Sequence, residues 1–187
     1  MDRRELPRHA PATMTNSVSP APNVTRIIEV LAFPSVQLLD VTGPLQVFAS
    51  ANDHVVAAGG TAPYAARVVA QGDRAITASA GLALVTHSLP SAAAPVDTLM
   101  VAGGPGVDAA AADPALVDWV RERSGQARRT ASVCTEAFLL AASGVLDGRR
   151  AVTHWSFCAE LARRYPAVHV ESDPIFIHDG PFWTRPA

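Results

Sequence analysis

The sequence predicts an α/β domain built on a mostly parallel sheet with helices on both faces. Three observations carry that expectation. Short, almost wholly apolar runs, such as Ile27-Ile28-Glu29-Val30-Leu31 and Leu99-Met100-Val101-Ala102, read as strands buried on both sides. Stretches with helical spacing alternate with those runs, the arrangement that joins parallel strands by crossovers. The chain has 187 residues, 49% of them apolar and 17% charged. That is enough for one domain with a filled core, too little for two comfortable ones, and unlike a disordered chain.

The elements follow in order. Residues 1–25 are rich in Pro, Ala, Ser, Thr and Arg without periodicity and read as a disordered leader, with the ordered domain spanning 26–187. Arg26–Phe33 is the first strand, ended by Pro34. A loop through Asp40 leads to a helix capped by Thr42, with Pro44 in its first turn and its end near Asn52. Tyr64–Ala70 is a strand; Ala75–Ala78 and Leu82–Thr86 form a hairpin about Ala80-Gly81. Asp97–Ala102 runs as a buried strand into Gly103-Gly104-Pro105-Gly106, and Asp113-Pro114 caps and opens a helix to about Ser124. A β-prone segment from Arg129 to Val133 precedes Cys134, and helical spacing follows to about Ala142. Ala151–Thr153 is a short strand and Ser156–Tyr165 a helix stopped by Pro166. Val168–Glu171, Ile175–His178 and Phe182–Thr184 close the domain as strands, with Asp179-Gly180 as a hairpin turn. No internal repeat is visible.

Composition excludes several functions. Every basic residue is arginine, which removes a lysine Schiff base and a Walker-type phosphate lysine together. A net charge of −2 leaves no electrostatic footprint for nucleic acid, and the arginine pairs, such as Arg163/Arg164, read as solvated helix ends. Two cysteines without a secretory signal point to a reducing cytoplasm and no disulfide framework. No apolar run reaches the roughly 18 residues of a membrane span, so no membrane partner is expected.

Cys134 lies where a strand meets a helix, in Ser132-Val133-Cys134-Thr135-Glu136-Ala137-Phe138. A tight turn there lifts the thiol off the sheet and aims a helix N-terminus at it, which favours thiolate. From this segment alone a buried, inert cysteine reads equally well. The neighbours decide. In open parallel sheets ligands bind beyond the carboxyl ends of the strands, and Asp40, Gly103-Gly104, Cys134 and His154 each follow a strand. Asp40 is either a helix cap or surface residue, or the general acid/base beside the thiol. Gly103 and Gly104 let the backbone approach a ligand and turn amides toward developing negative charge, with the Thr135 amide as a second donor. Gly104-Pro105-Gly106-Val107-Asp108-Ala109 also fits a dinucleotide fingerprint, but Pro105 lacks the amide proton a phosphate needs and the unit is not the first βαβ of the chain. His154 either orients the thiol or is a structural hydrogen-bonder. Glu136, two residues past Cys134, should point roughly 200° away around a helix. Cys158 reads as core. His87, His169 and His178 show no metal-ligand spacing, and neither metal nor cofactor is expected.

At these residues the chain resembles the ThiJ/PfpI superfamily, also called class I glutamine-amidotransferase-like. The likeness runs from about Arg26 to Thr184 and rests on the Cys134 segment, on Leu146-Asp147-Gly148-Arg149-Arg150-Ala151-Val152-Thr153-His154-Trp155 and on Leu39-Asp40-Val41-Thr42-Gly43-Pro44. Two branches look most alike: the N-terminal sensor domain of AraC-type transcriptional regulators, and isonitrile hydratases. The resemblance implies a flavodoxin-like three-layer αβα sandwich with Cys134 on a nucleophile elbow, Asp40 as its acidic partner, Gly103 and Gly104 as backbone donors and His154 nearby. A hydratase would add water to an isocyanide carbon through a covalent thioimidate; a regulator would bind a small effector in the same pocket. Protease, amidotransferase or glyoxalase chemistry is a third option, and the lack of a triad acid after His154 argues against its hydrolase forms. Two departures stand out. Glu136 replaces the glycine usual in relatives and should narrow or charge the pocket mouth. The chain also stops where relatives continue into a final covering helix and, in regulators, a helix-turn-helix domain. The resemblance therefore leads us to expect a truncated or marginally stable domain, or a homodimer hiding the bare face, that binds a small molecule and not DNA.

Overall fold

The computed structural model describes residues 24–72 and 75–186. The leader expected over 1–25 therefore lies almost wholly outside the described residues. The elements of the described residues begin with β1 (Arg26–Leu31), α1 (Leu38–Ala57) and β2 (Tyr64–Ala70), then the hairpin β3 (Ala75–Thr77) and β4 (Ala83–Val85), and β5 (His87–Ser88). Next come β6 (Thr98–Val101), α2 (Val107–Ala111), α3 (Pro114–Gln126) and β7 (Arg129–Val133). A 3-10 turn over Cys134–Glu136 leads into α4 (Ala137–Ala142), followed by β8 (Arg150–Ala151) and a second such turn over Trp155–Phe157. The chain closes with α5 (Cys158–Arg164), β9 (His169–Val170), β10 (Ile177–Asp179) and β11 (Phe182–Arg185).

Seven strands form the main sheet in the order β10-β11-β7-β6-β1-β2-β5. All neighbours run parallel except β10 and β11. From β1 the crossover through α1 steps to β2 on one side, while β6 steps through α3 to β7 on the other. Crossovers of one hand then put α1 and α3 on opposite faces. The α/β class and the flavodoxin-like layering expected from sequence are what the chain adopts. Val30, Leu31, Val69, Leu99 and Val101 are fully buried at the centre, which explains why these strands read as unbroken apolar runs.

One polar pair crosses this core. Glu29 in β1 and Arg123 in α3 both have fully buried side chains. They meet bidentately, Arg123 Nε to Glu29 Oε2 at 2.8 Å and Nη2 to Oε1 at 2.8 Å. Arg123 Nη1 also donates to the carbonyls of Ser91, at 3.2 Å, and Ala92, at 3.0 Å, tying down the segment before β6.

Several local expectations shift. The first helix starts at Leu38, so Asp40 sits in its first turn and not in a loop, and Pro44 lies inside. Thr42 is no cap: its hydroxyl donates back to the Leu38 carbonyl at 3.0 Å. Asp113 does cap α3, accepting from the Ala115 and Leu116 amides. His87 belongs to β5, a two-residue edge strand that local pattern did not suggest, and α2 was likewise not expected.

Candidate functional site

β7 ends in extended backbone at Val133, and Cys134 then takes φ +74°. A non-glycine residue in that region stores strain on the order of 1–3 kcal/mol and persists only where its surroundings hold it. Here the Thr153 hydroxyl donates to the Cys134 carbonyl at 2.8 Å. Cys134 is left half-buried at the strand end.

Asp40 approaches from α1. Its Oδ2 accepts from the Gly103 amide at 3.2 Å, and burial nonetheless raises its pKa, with that amide and Arg185 pulling the other way. The Gly104 amide donates to Thr135 Oγ1 at 3.1 Å. The two glycine amides expected to face a developing anion are thus engaged by side chains of the site. What reaches the sulfur is Thr135, whose amide and hydroxyl both favour the thiolate. They are outweighed. Burial first, then the charges of Glu136 and Asp40, push the Cys134 thiol up to about 11. The thiolate expected from a helix N-terminus is therefore disfavoured, because burial outweighs the Thr135 donors, nearby acids oppose it, and α4 begins only after a 3-10 turn.

Gly103 is a glycine of necessity. A Cβ there would lie 2.5 Å from Glu136 Oε2, 2.8 Å from the Val133 carbonyl and 2.9 Å from Asp40 Oδ2. Glu136 accordingly points inward beneath the Gly103 turn, not at the pocket mouth. The regular-helix angle failed because the segment is a 3-10 turn entered from a left-handed residue. Burial holds the Glu136 carboxyl well above its ordinary pKa, with Asp40 pushing the same way.

The expected residues, apart from Gly103, divide between two concavities. Cys134, Gly104, Thr135 and His154 line a cavity of about 500 Å³, whose apolar walls include Phe138 and Phe157. Asp40 faces a groove of about 850 Å³ between α1 and the strand ends of β7 and β11, shared with Ser132, Trp183 and Arg185. His154 caps the turn at Trp155–Phe157: its Nδ1 lies 2.7 Å from Ser156 Oγ and accepts from the Ser156 amide. That imidazole borders the thiol's cavity while its hydrogen bonds serve its own turn.

Sequence reasoning missed Gln37, Asp108, Glu160 and Arg164 on the cavity wall. Arg164 lies over the Phe138 ring at 4.9 Å and pairs with Asp108 at 2.6 Å, although its position suggested a solvated helix end. The glycine loop leaves few amides for phosphate, because that of Gly106 goes to the Ser35 carbonyl at 3.4 Å. Among the described residues no cluster of His, Cys, Asp and Glu is placed to hold a metal ion, and no helix is long and apolar enough to cross a membrane.

Comparison with known proteins agrees with this fold. Residues 26–184 match the DJ-1/PfpI family. An isonitrile hydratase of Pseudomonas putida is 37% identical over 127 residues, covering 68% of this chain and 51% of that protein. An HTH-type transcriptional regulator of Mycobacterium tuberculosis is 60% identical over 52 residues, 28% of this chain and 20% of the regulator. The chain thus spans about half or less of these two relatives. A ThiJ/PfpI family protein from Pseudomonas syringae superposes with a TM-score of 0.75 at 26% identity, covering 96% of this chain and 70% of the other.

Proposed function

Because the chain belongs to the DJ-1/PfpI family, we propose that it is a ligand-sensing domain of the kind found in AraC-type regulators, binding a small molecule in the cavity beside Cys134. Its relatives include HTH-type regulators and an isonitrile hydratase. The observation that carries the proposal is the thiol itself, held at φ +74° on the wall of a cavity of about 500 Å³ with mixed lining. That volume suits a small metabolite. The apolar part of the lining supplies affinity, while Gln37, Thr135 and His154 supply orientation. A resting thiol with its pKa near 11 favours a group that waits for a ligand over a standing nucleophile.

A second reading, a cysteine-dependent hydro-lyase of isonitrile hydratase type, is favoured by the 37% identity to such an enzyme. There the Cys134 sulfur would bond to the isocyanide carbon, which takes up a proton to give a thioimidate. Water then adds to that carbon and the carbon–sulfur bond breaks, releasing an N-substituted formamide and the thiol. Asp40, near enough for its charge to be felt at the sulfur, would move those protons, with the buried Glu136 behind it.

One experiment separates the two. Peptide-level mass spectrometry after exposure to an isocyanide panel, and separately to dilute peroxide, should find adducts on Cys134 that vanish in Cys134→Ala. Formamide accumulating beyond one equivalent marks the enzyme; binding or adduct formation without turnover marks the sensor. A chain that neither binds nor is modified at Cys134 sinks both.

We also propose a homodimer. Leu39, Val47, Ile175, Phe176 and Trp183 line the groove and are each more than a third exposed, a contiguous apolar patch of the kind that a second copy could cover. Sedimentation should show a dimer that Val47→Glu dissociates; a wild-type chain that stays monomeric through the micromolar range counts against it.

A further inference from the structure

The reading above gives Glu136 only a secondary task, yet its setting is unusual. The side chain has no exposure, and neither carboxyl oxygen has a well-formed hydrogen bond, although its own amide and the Ser132 hydroxyl lie close enough to favour the charged form weakly. Its Oε2 and Asp40 Oδ2 both lie within 3 Å of one point, the place a Gly103 Cβ would occupy. The Gly103 amide donates to Asp40. Groups facing this point come from each neighbouring element: Asp40 from α1, Cys134 from the elbow, Ser132 from β7 and Arg185 from β11. Arg185 is the cation among them, and no ion pair joins it to Glu136 among the described residues. The Ser132 hydroxyl is itself buried and unpartnered.

A bare carboxylate buried without partners costs several kcal/mol, whereas a neutral acid carries a smaller penalty. Two carboxyls this close also resist ionising together and titrate as a pair. Of the two, Asp40 has the amide donor and partial access to solvent, so the shared proton belongs on Glu136.

We propose that Glu136 is a positioning residue for Cys134: as a neutral acid packed beneath the Gly103 turn, it keeps a proton beside the Asp40 carboxylate, so that the pair carries one negative charge toward the sulfur instead of two. Loss of that proton at alkaline pH adds the second charge and holds the thiol back from ionising. Glu136 thereby links the state of the thiol to that of the acid pair. The inference rests on the Cys134 reading only in making this thiol the group that matters.

The test uses the full chain and no ligand. Infrared spectra near neutral pH should contain the carbonyl stretch of a protonated carboxyl that is lost in Glu136→Gln and retained in Asp40→Asn. Iodoacetamide labelling of Cys134, followed with pH at peptide level, should have its midpoint about one pH unit lower in Glu136→Gln, or roughly tenfold faster labelling at a fixed pH high enough to ionise Glu136 in the wild type. A wild-type spectrum without that band, or a Gln variant whose midpoint coincides with wild type, overturns the proposal. Should Glu136→Gln fail to fold, the band in wild type and its persistence in Asp40→Asn decide alone. A chain that binds nothing at Cys134 can still pass, and one that binds a ligand but lacks the band fails this inference only.

Discussion

Arg123→Ala should lower the stability of the fold by about 3–5 kcal/mol, the loss typical of breaking a buried ion pair from one side. The reason is what remains. Glu29 is wholly buried in the middle of the sheet, and without Arg123 it keeps Arg67, which approaches Oε1 at 2.5 Å from a partly exposed position. The carbonyls of Ser91 and Ala92 lose a donor in the same step. The pair need not be strongly stabilising for this to hold, because the penalty comes from a buried carboxylate that loses its two-pronged partner and keeps only one contact from the partly exposed Arg67. Arg123→Met combined with Glu29→Leu should therefore recover much of the loss. Urea unfolding checks both, with stability read from the midpoints at unchanged slope. A single variant that loses less than about 1 kcal/mol would show that the interior reorganises around the carboxylate more easily than its packing suggests.

Gly104→Ala should be nearly as damaging, roughly 2–6 kcal/mol, by two additive routes. Gly104 has φ +137°, where a side chain carries strain of about 1–3 kcal/mol. Its Cβ would also stand 2.4 Å from the Gln37 nitrogen, 2.7 Å from the Ser35 carbonyl oxygen and 2.8 Å from the Val36 carbonyl carbon. All three are backbone, so no side chain can swing aside, and forced overpacking costs a further 1–3 kcal/mol or so. The site should suffer with the fold, because the Gly104 amide holds the Thr135 hydroxyl that supports the sulfur. Gly59→Ala is the control: its φ of +83° is also left-handed, but nothing lies within 4 Å of the added carbon. It should show the backbone penalty alone, about 1–2 kcal/mol. Equal losses in the two variants would refute the steric half of the account.

The central strands were legible because burial on both faces writes an almost wholly apolar run into β1 and β6. Asp113 was legible as a cap because a cap is local chemistry. The start of α1 was not, because it is set from outside the segment: the Gln37 amide donates to the Gly103 carbonyl at 2.6 Å, and the helix begins beside that anchor, four residues before the local signal at Thr42. The same distinction runs through the site. Cys134, Asp40 and Gly103 could be nominated because each follows a strand, a matter of order along the chain. The inward turn of Glu136 could not, since it depends on the sign of one dihedral angle at Cys134. Nor could the seating of Arg164 on Phe138, which brings together positions 26 apart that no periodicity connects.

Both borders of the main sheet are held by very short strands, His87–Ser88 at one end and Ile177–Asp179 at the other. A border of two or three residues offers little template for another molecule's backbone, so fibril-like growth by strand addition finds poor purchase. Self-assembly is thereby channelled toward side-chain contacts, which can be reversed, and away from ladders, which propagate.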